Sequence, residues 1–295
     1  MSLAAAEAGE PLQPAHRGAI EPLLRHRRAA AGAPEATLSD ATFTNLLLFR
    51  EAHGWRLQRG ELPCIAGRAY DGTRLLLPLF DLASAAPEAL HERLQGHDAY
   101  GPLSDAEWQR LPQGRFVASS SPADADYLYS AEQFRHYRGA LLQKKANLVR
   151  QLLAAHRVQS EPYHEGLAGE AAQVLQGWLD DKSKAQGETD DGPCLQALAE
   201  ASSLGLAGAL FCVDGRAAGF VLAEPLAPGV EVMRFAKARN ACKGLYQHMF
   251  QQFCRQRPAL RWLNFEQDLG LPNFRQTKQS YQPVRLLAKH RVLVR

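Results

Sequence analysis

Apolar positions recur along this 295-residue chain with periods that change from one stretch to the next, and the changes mark out its elements. Ala19–His26 and Thr42–Phe49 have helical spacing, the second carrying Phe43, Leu46, Leu47 and Phe49. Trp55–Gln58, Glu61–Ala66 and Arg74–Leu79 read as strands, separated by the turn pairs Arg59-Gly60 and Asp71-Gly72. Pro87–Leu94 and Asp105–Arg110 read as helices, Arg115–Ala118 as a returning strand, and Asp124–Tyr129 as the lead into the next element. There Phe134, Tyr137, Leu141, Leu148 and Leu152 form one stripe, which predicts a single helix from Ala131 to His156, about 40 Å long at roughly 1.5 Å per residue. Ser130 stands at its cap with Gln133 as capping-box partner, and Tyr129 and Phe134 stand at staple positions.

The second half has a clearer order. Leu167, Ala171, Val174, Leu175 and Trp178 make one amphipathic helix, the charged stretch Asp180–Gly192 a loop, and Leu195, Leu198, Ala199 and Ser202 the inner face of another helix. Ala207–Val213 and Ala217–Ala223 are strands joined through Asp214-Gly215, a tight-hairpin signal. Val230–Phe235 is a third strand, Gly244–Cys254 a helix, Leu260–Phe265 a fourth strand and Asn273–Gln279 a short helix, after which Val284–Leu287 and Arg291–Val294 close the sheet. This is an α/β chain of α+β order with a mixed sheet. Met1 to about Gln13 lacks a periodic apolar face and is expected to fray.

Composition narrows the classes. With 46% hydrophobic and 22% charged residues the chain is globular, and its length suits one large domain or two of about 130–150 residues. A net charge of +3 is far from the clustered excess of a dedicated nucleic-acid binder. The five cysteines (Cys64, Cys194, Cys212, Cys242, Cys254) form no CxxC pair, so neither a disulfide framework nor a zinc knuckle is expected, and a reducing, cytoplasmic setting fits. The histidines form no HExxH or ligand pair, so no metal is expected. Apolar runs such as Leu75–Phe80 and Ala207–Val213 fall well short of the roughly 20 residues that cross a bilayer, and no secretory h-region opens the chain. Arg135, His136, Arg138, Lys144, Lys145, Arg150 and Arg157 make the long helix basic: either a solvated face, or one side of a groove for an anionic substrate such as tRNA or phospholipid.

Three segments carry candidate chemistry. Between strand Val230–Phe235 and the next helix, Arg239 and Lys243 flank a helix N-terminus at Gly244, either an anion site or an ordinary loop with two solvated cations. In Asn264-Phe265-Glu266-Gln267-Asp268, alternation places Asn264, Glu266 and Asp268 on a common side if the strand persists. Two close carboxylates suit a general base; the same groups also serve to satisfy turn donors. In Lys278-Gln279-Ser280-Tyr281, Lys278 is placed to hold a phosphate or carboxylate and Tyr281 to donate a proton, or Tyr281 is a packing residue.

At these segments the sequence resembles the C-terminal domain family of bacterial phosphatidylglycerol lysyltransferases. The matching stretches are Thr44-Asn45-Leu46, Tyr127-Leu128-Tyr129, Asp214-Gly215 with Gly219-Phe220, Glu224-Pro225-Leu226, Lys243-Gly244-Leu245-Tyr246-Gln247, Asn264 to Gly270, and Lys278 to Pro283. The resemblance runs from about residue 40 to the end. It implies two tandem GNAT-like domains: 15–130 and 158–295, joined by the basic helix 131–157, after a disordered 1–14. It implies acyl transfer, most narrowly of an aminoacyl group from aminoacyl-tRNA to an amine or hydroxyl acceptor, a lipid headgroup in the full-length enzymes. No tightly bound cofactor is implied. Glu266 or Asp268 would act as base or acceptor orienter and Tyr281 or Tyr246 as proton donor. Arg239, Lys243, Gly244, Asn264, Lys278 and Ser280 would hold anionic or substrate groups. The GNAT pyrophosphate loop, Gln/Arg-x-x-Gly-x-Gly/Ala, is matched at Arg239 and Gly244 but has Cys242 at the middle glycine, where a Cβ obstructs close backbone approach. An acyl-CoA donor and a non-catalytic binding module are the competing readings.

Overall fold

Asp214 and Gly215 both take positive φ, 50° and 81°, the conformation a two-residue hairpin turn demands. Strands Ala207–Val213 and Arg216–Ala227 run antiparallel from it. In this computed structural model, which describes residues 9–30 and 32–295, that hairpin lies in a seven-stranded sheet. In spatial order the strands are Arg285–Leu287, Asp126–Ser130, Trp262–Asn264, Val230–Ala238, Arg216–Ala227, Ala207–Val213 and Val158–Pro162. The pair Val230–Ala238 with Trp262–Asn264 is parallel, while Val230–Ala238 is antiparallel to its other neighbour.

A second seven-stranded sheet runs Glu10–Pro11, Arg56–Gln58, Cys64–Arg68, Arg74–Pro78, Ala99–Leu103, His290–Val294 and Phe116–Ser120. Its one parallel pair is Arg74–Pro78 with Ala99–Leu103. Compactness divides the chain accordingly. The first unit is the chain up to Asp126 with Gln267–Pro272 and Leu286–Arg295; the second is Tyr127–Glu266 with Asn273–Arg285. Both are mixed, mostly antiparallel sheets flanked by helices. The early sheet takes one strand from the far end of the chain, His290–Val294, while the late sheet is built from the consecutive strands between Asp126 and Leu287. In the first unit Lys289 is buried just ahead of its strand, ion-paired with Asp126 at 2.7 Å and Asp40 at 2.5 Å.

In the second unit, helix Leu245–Arg255 buries Leu245, Met249, Phe250 and Phe253 in a core with Phe134, Phe211, Val221 and Leu263. Arg135 fixes its C-terminal end. Its guanidinium donates to the carbonyls of Cys254 (3.0 Å), Arg257 (2.8 Å) and Leu260 (2.6 Å), tying the last turn of the helix to the segment that follows it.

Four expectations need correction. The long helix does not exist as one piece: Ala131–His136 ends at Tyr137 (φ 48°), and Gln143–Ala155 starts only after Gly139 (φ 91°) and a 3-10 turn. Tyr137 is what breaks it, because its ring is buried and its hydroxyl donates to Gln247 O at 3.0 Å. The Tyr129–Phe134 staple forms, rings 5.5 Å apart, but Ser130 makes no side-chain cap, and Gln133 donates to Tyr281 O instead. Strands Ala99–Leu103 and Val158–Pro162 were not expected, and the two final strands belong to different sheets. Finally, of the stretch expected to fray, residues 1–8 lie outside the described residues, but Glu10–Pro11 pairs with Arg56 and Leu57, and Leu12 is buried.

Candidate functional site

Strand Val230–Ala238 stays in register with Trp262–Asn264 only as far as Val232 opposite Asn264. Beyond that pair the first strand runs on to Ala238 while its neighbour ends, so the two part. On the other edge, Leu222 faces Phe235 and Ala223 faces Met233, which leaves Arg234 as the extra residue of a β-bulge. Arg239 N–H donates to Ala218 O at 2.9 Å. By the alternation of an antiparallel ladder, Ala236 and Ala238 then present their N–H groups to the opposite edge, toward the gap. Ala238 N–H meets the hydroxyl of Tyr246 there, at 3.2 Å.

The bulged Arg234 is the charge centre of this region. Its guanidinium has no exposed surface and lies between Glu224, at 2.7 Å, and the carboxylate of Glu266, whose side chain is 25% exposed. A cation buried this deeply is stable only with such partners. Glu266 therefore faces Arg234 rather than bulk water. It reaches there because the strand has ended: Asn264 Oδ1 accepts Glu266 N–H at 2.7 Å and Glu266 takes φ 56°. This corrects the expected alternation, since Asn264 is fully buried as a turn-former. Asp268 belongs to the first unit, where it is buried and accepts Gly270 N–H at 2.8 Å.

The two candidate tyrosines differ. Tyr246 OH accepts from Ala238 N–H at 3.2 Å, which leaves its own hydrogen to donate. Burial pushes its ionisation up to about 12, which keeps that hydrogen in place at neutral pH. Tyr281 is buried in the aromatic core beside Phe134 and Phe250, and its hydroxyl accepts from Gln247 Nε2 at 2.7 Å. Burial raises its ionisation as well.

Lys278 Nζ donates to Phe265 O at 2.5 Å and Glu266 O at 3.1 Å, so it tethers the end of the parted strand. Ser280 Oγ accepts from Lys145 Nζ at 2.7 Å, and that ammonium lies 4.0 Å over the Tyr281 ring. Burial, with Lys144 close by, lowers the Lys145 pKa. At the loop toward helix Leu245–Arg255, Arg239 makes a two-pronged contact with Asp181, at 2.9 and 3.2 Å. Gly244 has φ 92°, and a Cβ on it would come within 2.4 Å of Leu148 O, so glycine is required by the turn and by close packing. Lys243 is exposed.

The structure thus gathers Glu266, Asn264, Lys278 and Tyr246 around the parted strands of the second unit and leaves Asp268 in the first. Sequence reasoning missed Arg234, Glu224 and Asp181. The available signal was the pair Glu224 and Arg234, charges set in otherwise apolar strands. Among the described residues, no cluster of His, Cys, Asp or Glu is placed to hold a metal, and no helix is long and apolar enough to cross a membrane.

Comparison with solved structures gives the same fold. A conserved protein of unknown function from Bacteroides thetaiotaomicron matches with a TM-score of 0.77 at 20% identity, over 98% of this chain and 99% of its own. L-PGS from Bacillus licheniformis matches with a TM-score of 0.59 at 14% identity, over 97% of this chain and 93% of its own. No curated protein matches the sequence. The family model described as phosphatidylglycerol lysyltransferase, C-terminal, matches residues 34–292, nearly the whole length, and the chain belongs to that family.

Proposed function

We propose that the second unit transfers an acyl group, most narrowly an aminoacyl group from aminoacyl-tRNA, to an amine or hydroxyl acceptor. The observation that carries this reading is the gap between the parted strands, edged by a backbone N–H at Ala236 and by the hydroxyl of Tyr246. The family's description, a lysyltransferase, supports the choice of donor. The acceptor's lone pair attacks the ester carbonyl carbon, forming the new C–N or C–O bond, and the carbonyl oxygen becomes an oxyanion stabilised by the Ala236 N–H. Collapse breaks the ester C–O bond, and the departing ribose oxygen takes its proton from Tyr246. Glu266, anchored by Arg234, orients the acceptor and receives the proton it loses. Lys278 and Asn264 hold the edge of the gap in shape.

The test supplies tRNAs charged with labelled lysine and other amino acids, and offers phosphatidylglycerol vesicles, free amines and water as acceptors in turn. Protein-dependent transfer from one donor is expected, falling about 10²–10⁴-fold in Tyr246→Phe. Discharge at the protein-free rate with every donor, or full transfer by that variant, overturns the reading.

A further inference from the structure

We infer that Asp181 is a specificity-determining residue, its carboxylate filling the place at Arg239 and Asn240 where a pyrophosphate would bind and so turning away donors that carry one. The inference rests on the acyl-transfer reading for its meaning, but its test measures binding and needs no turnover.

The loop after strand Val230–Ala238 holds the groups an oxyanion seeks: a guanidinium at Arg239 and a backbone N–H at Asn240. Both are spent on one carboxylate of the chain itself. Arg239 Nε donates to Asp181 Oδ2 at 2.9 Å and Nη2 to Oδ1 at 3.2 Å, the fork geometry of bidentate carboxylate binding. Asn240 N–H donates to Asp181 Oδ2 at 2.8 Å, and Asn240 Nδ2 to Asp181 O at 3.1 Å. Four hydrogen bonds therefore join the loop to the end of helix Ala168–Lys182.

The helix is shaped for this contact. A Cβ at Gly177 would fall 2.5–2.8 Å from the Arg239 guanidinium, so the side chain lies against bare backbone one turn before Asp181. Asp180 adds negative charge near the same guanidinium. An incoming pyrophosphate would meet like charge and would have to displace a bidentate partner. In the same loop, Cys242 carries a Cβ where the GNAT pattern has glycine, which obstructs close backbone approach.

The experiment is calorimetric titration of the full chain with acetyl-CoA and, separately, with inorganic pyrophosphate. The wild-type protein is expected to show no saturable binding below about 1 mM. Asp181→Ala is expected to tighten acetyl-CoA binding at least about tenfold, with a smaller gain in the same direction for Asp181→Asn, which keeps the side chain's size and removes its charge. Circular dichroism of both variants checks that they fold. Micromolar binding by the wild type overturns the inference. So does a folded pair of variants that bind no better than wild type, including the case in which Cys242→Gly alone gains binding. A protein that transfers nothing yet gains acetyl-CoA binding on loss of Asp181 keeps this inference while losing the proposed function; aminoacyl transfer together with micromolar acetyl-CoA binding does the reverse.

Discussion

The two units build the same gap and treat it in opposite ways. In the first, Arg74–Pro78 and Ala99–Leu103 pair in parallel at Leu75–Ala99 and Leu76–Tyr100 and then part. Arg27, from helix Arg17–Ala30, enters the opening: it donates to Pro78 O at 3.2 Å and to Pro102 O at 2.5 Å, and pairs with Glu107. A cation thus satisfies carbonyls from both strands, and the opening is closed. In the second unit the corresponding strand carries a bulge and is longer, its arginine is turned to Glu224 and Glu266, and N–H donors face the gap. Parted strands alone do not make a site. The sign of the groups left along the edge, and what already occupies them, decides whether a reacting carbonyl finds donors.

The largest effect should come from Arg234→Met. It strands Glu224 and Glu266 without their cation, which should lower stability by about 3–5 kcal/mol and transfer by about 10²–10⁴-fold, read by urea denaturation and by the charged-tRNA assay. Arg27→Met should cost somewhat less, about 3 kcal/mol, because the buried Glu107 loses its cation but keeps the Ser104 N–H and hydroxyl as donors, and it should leave turnover per folded molecule unchanged. A folded Arg27 variant that has lost transfer would break the contrast between the units.

Acid gives the next effect. Burial, with Arg255 nearby, pushes the His248 pKa down to about 4 in the second unit, against an unfolded value near 6.5. The unfolded chain binds the extra proton between those values, so stability is present above pH 6.5 and lost as pH falls toward 4. Acidifying from pH 7 to 5 should remove about 2 kcal/mol, and His248→Leu should flatten that loss in denaturation curves. Alkali gives the smallest effect. Folded Tyr246 holds its proton to about pH 12, so it contributes stability below pH 10 that is lost above it, about 1 kcal/mol between pH 9 and 11. Comparing melting temperatures of wild type and Tyr246→Phe across that range isolates the term.

Local signals predicted local structure well. Pro87–Leu94, Asp105–Arg110 and Ala207–Val213 form with the expected bounds, and Asp214-Gly215 makes its hairpin. What periodicity does not carry is the partner. Tyr137 fits a helical stripe as well as Leu148 does, but a buried hydrogen bond to Gln247 O holds it in a left-handed turn. Glu266 follows Asn264 by two, the spacing of a strand face, until the Asn264 side chain caps the turn. Of the residues singled out from the sequence, Glu266 and Tyr246 lie beside the parted strands. The site was illegible at Arg234 and Asp181, whose roles come from residues ten to about sixty positions away.

The strand that arrives out of order bears on how the molecule is made. His290–Val294 lies between Ala99–Leu103 and Phe116–Ser120, so the first-unit sheet stays split until residues 290–294 have been synthesised. During that interval the edges of two unpaired strands stand open to other chains, and pairings across so much sequence form slowly. Deleting the strand His290–Val294 should therefore leave the protein prone to aggregate through the first-unit sheet.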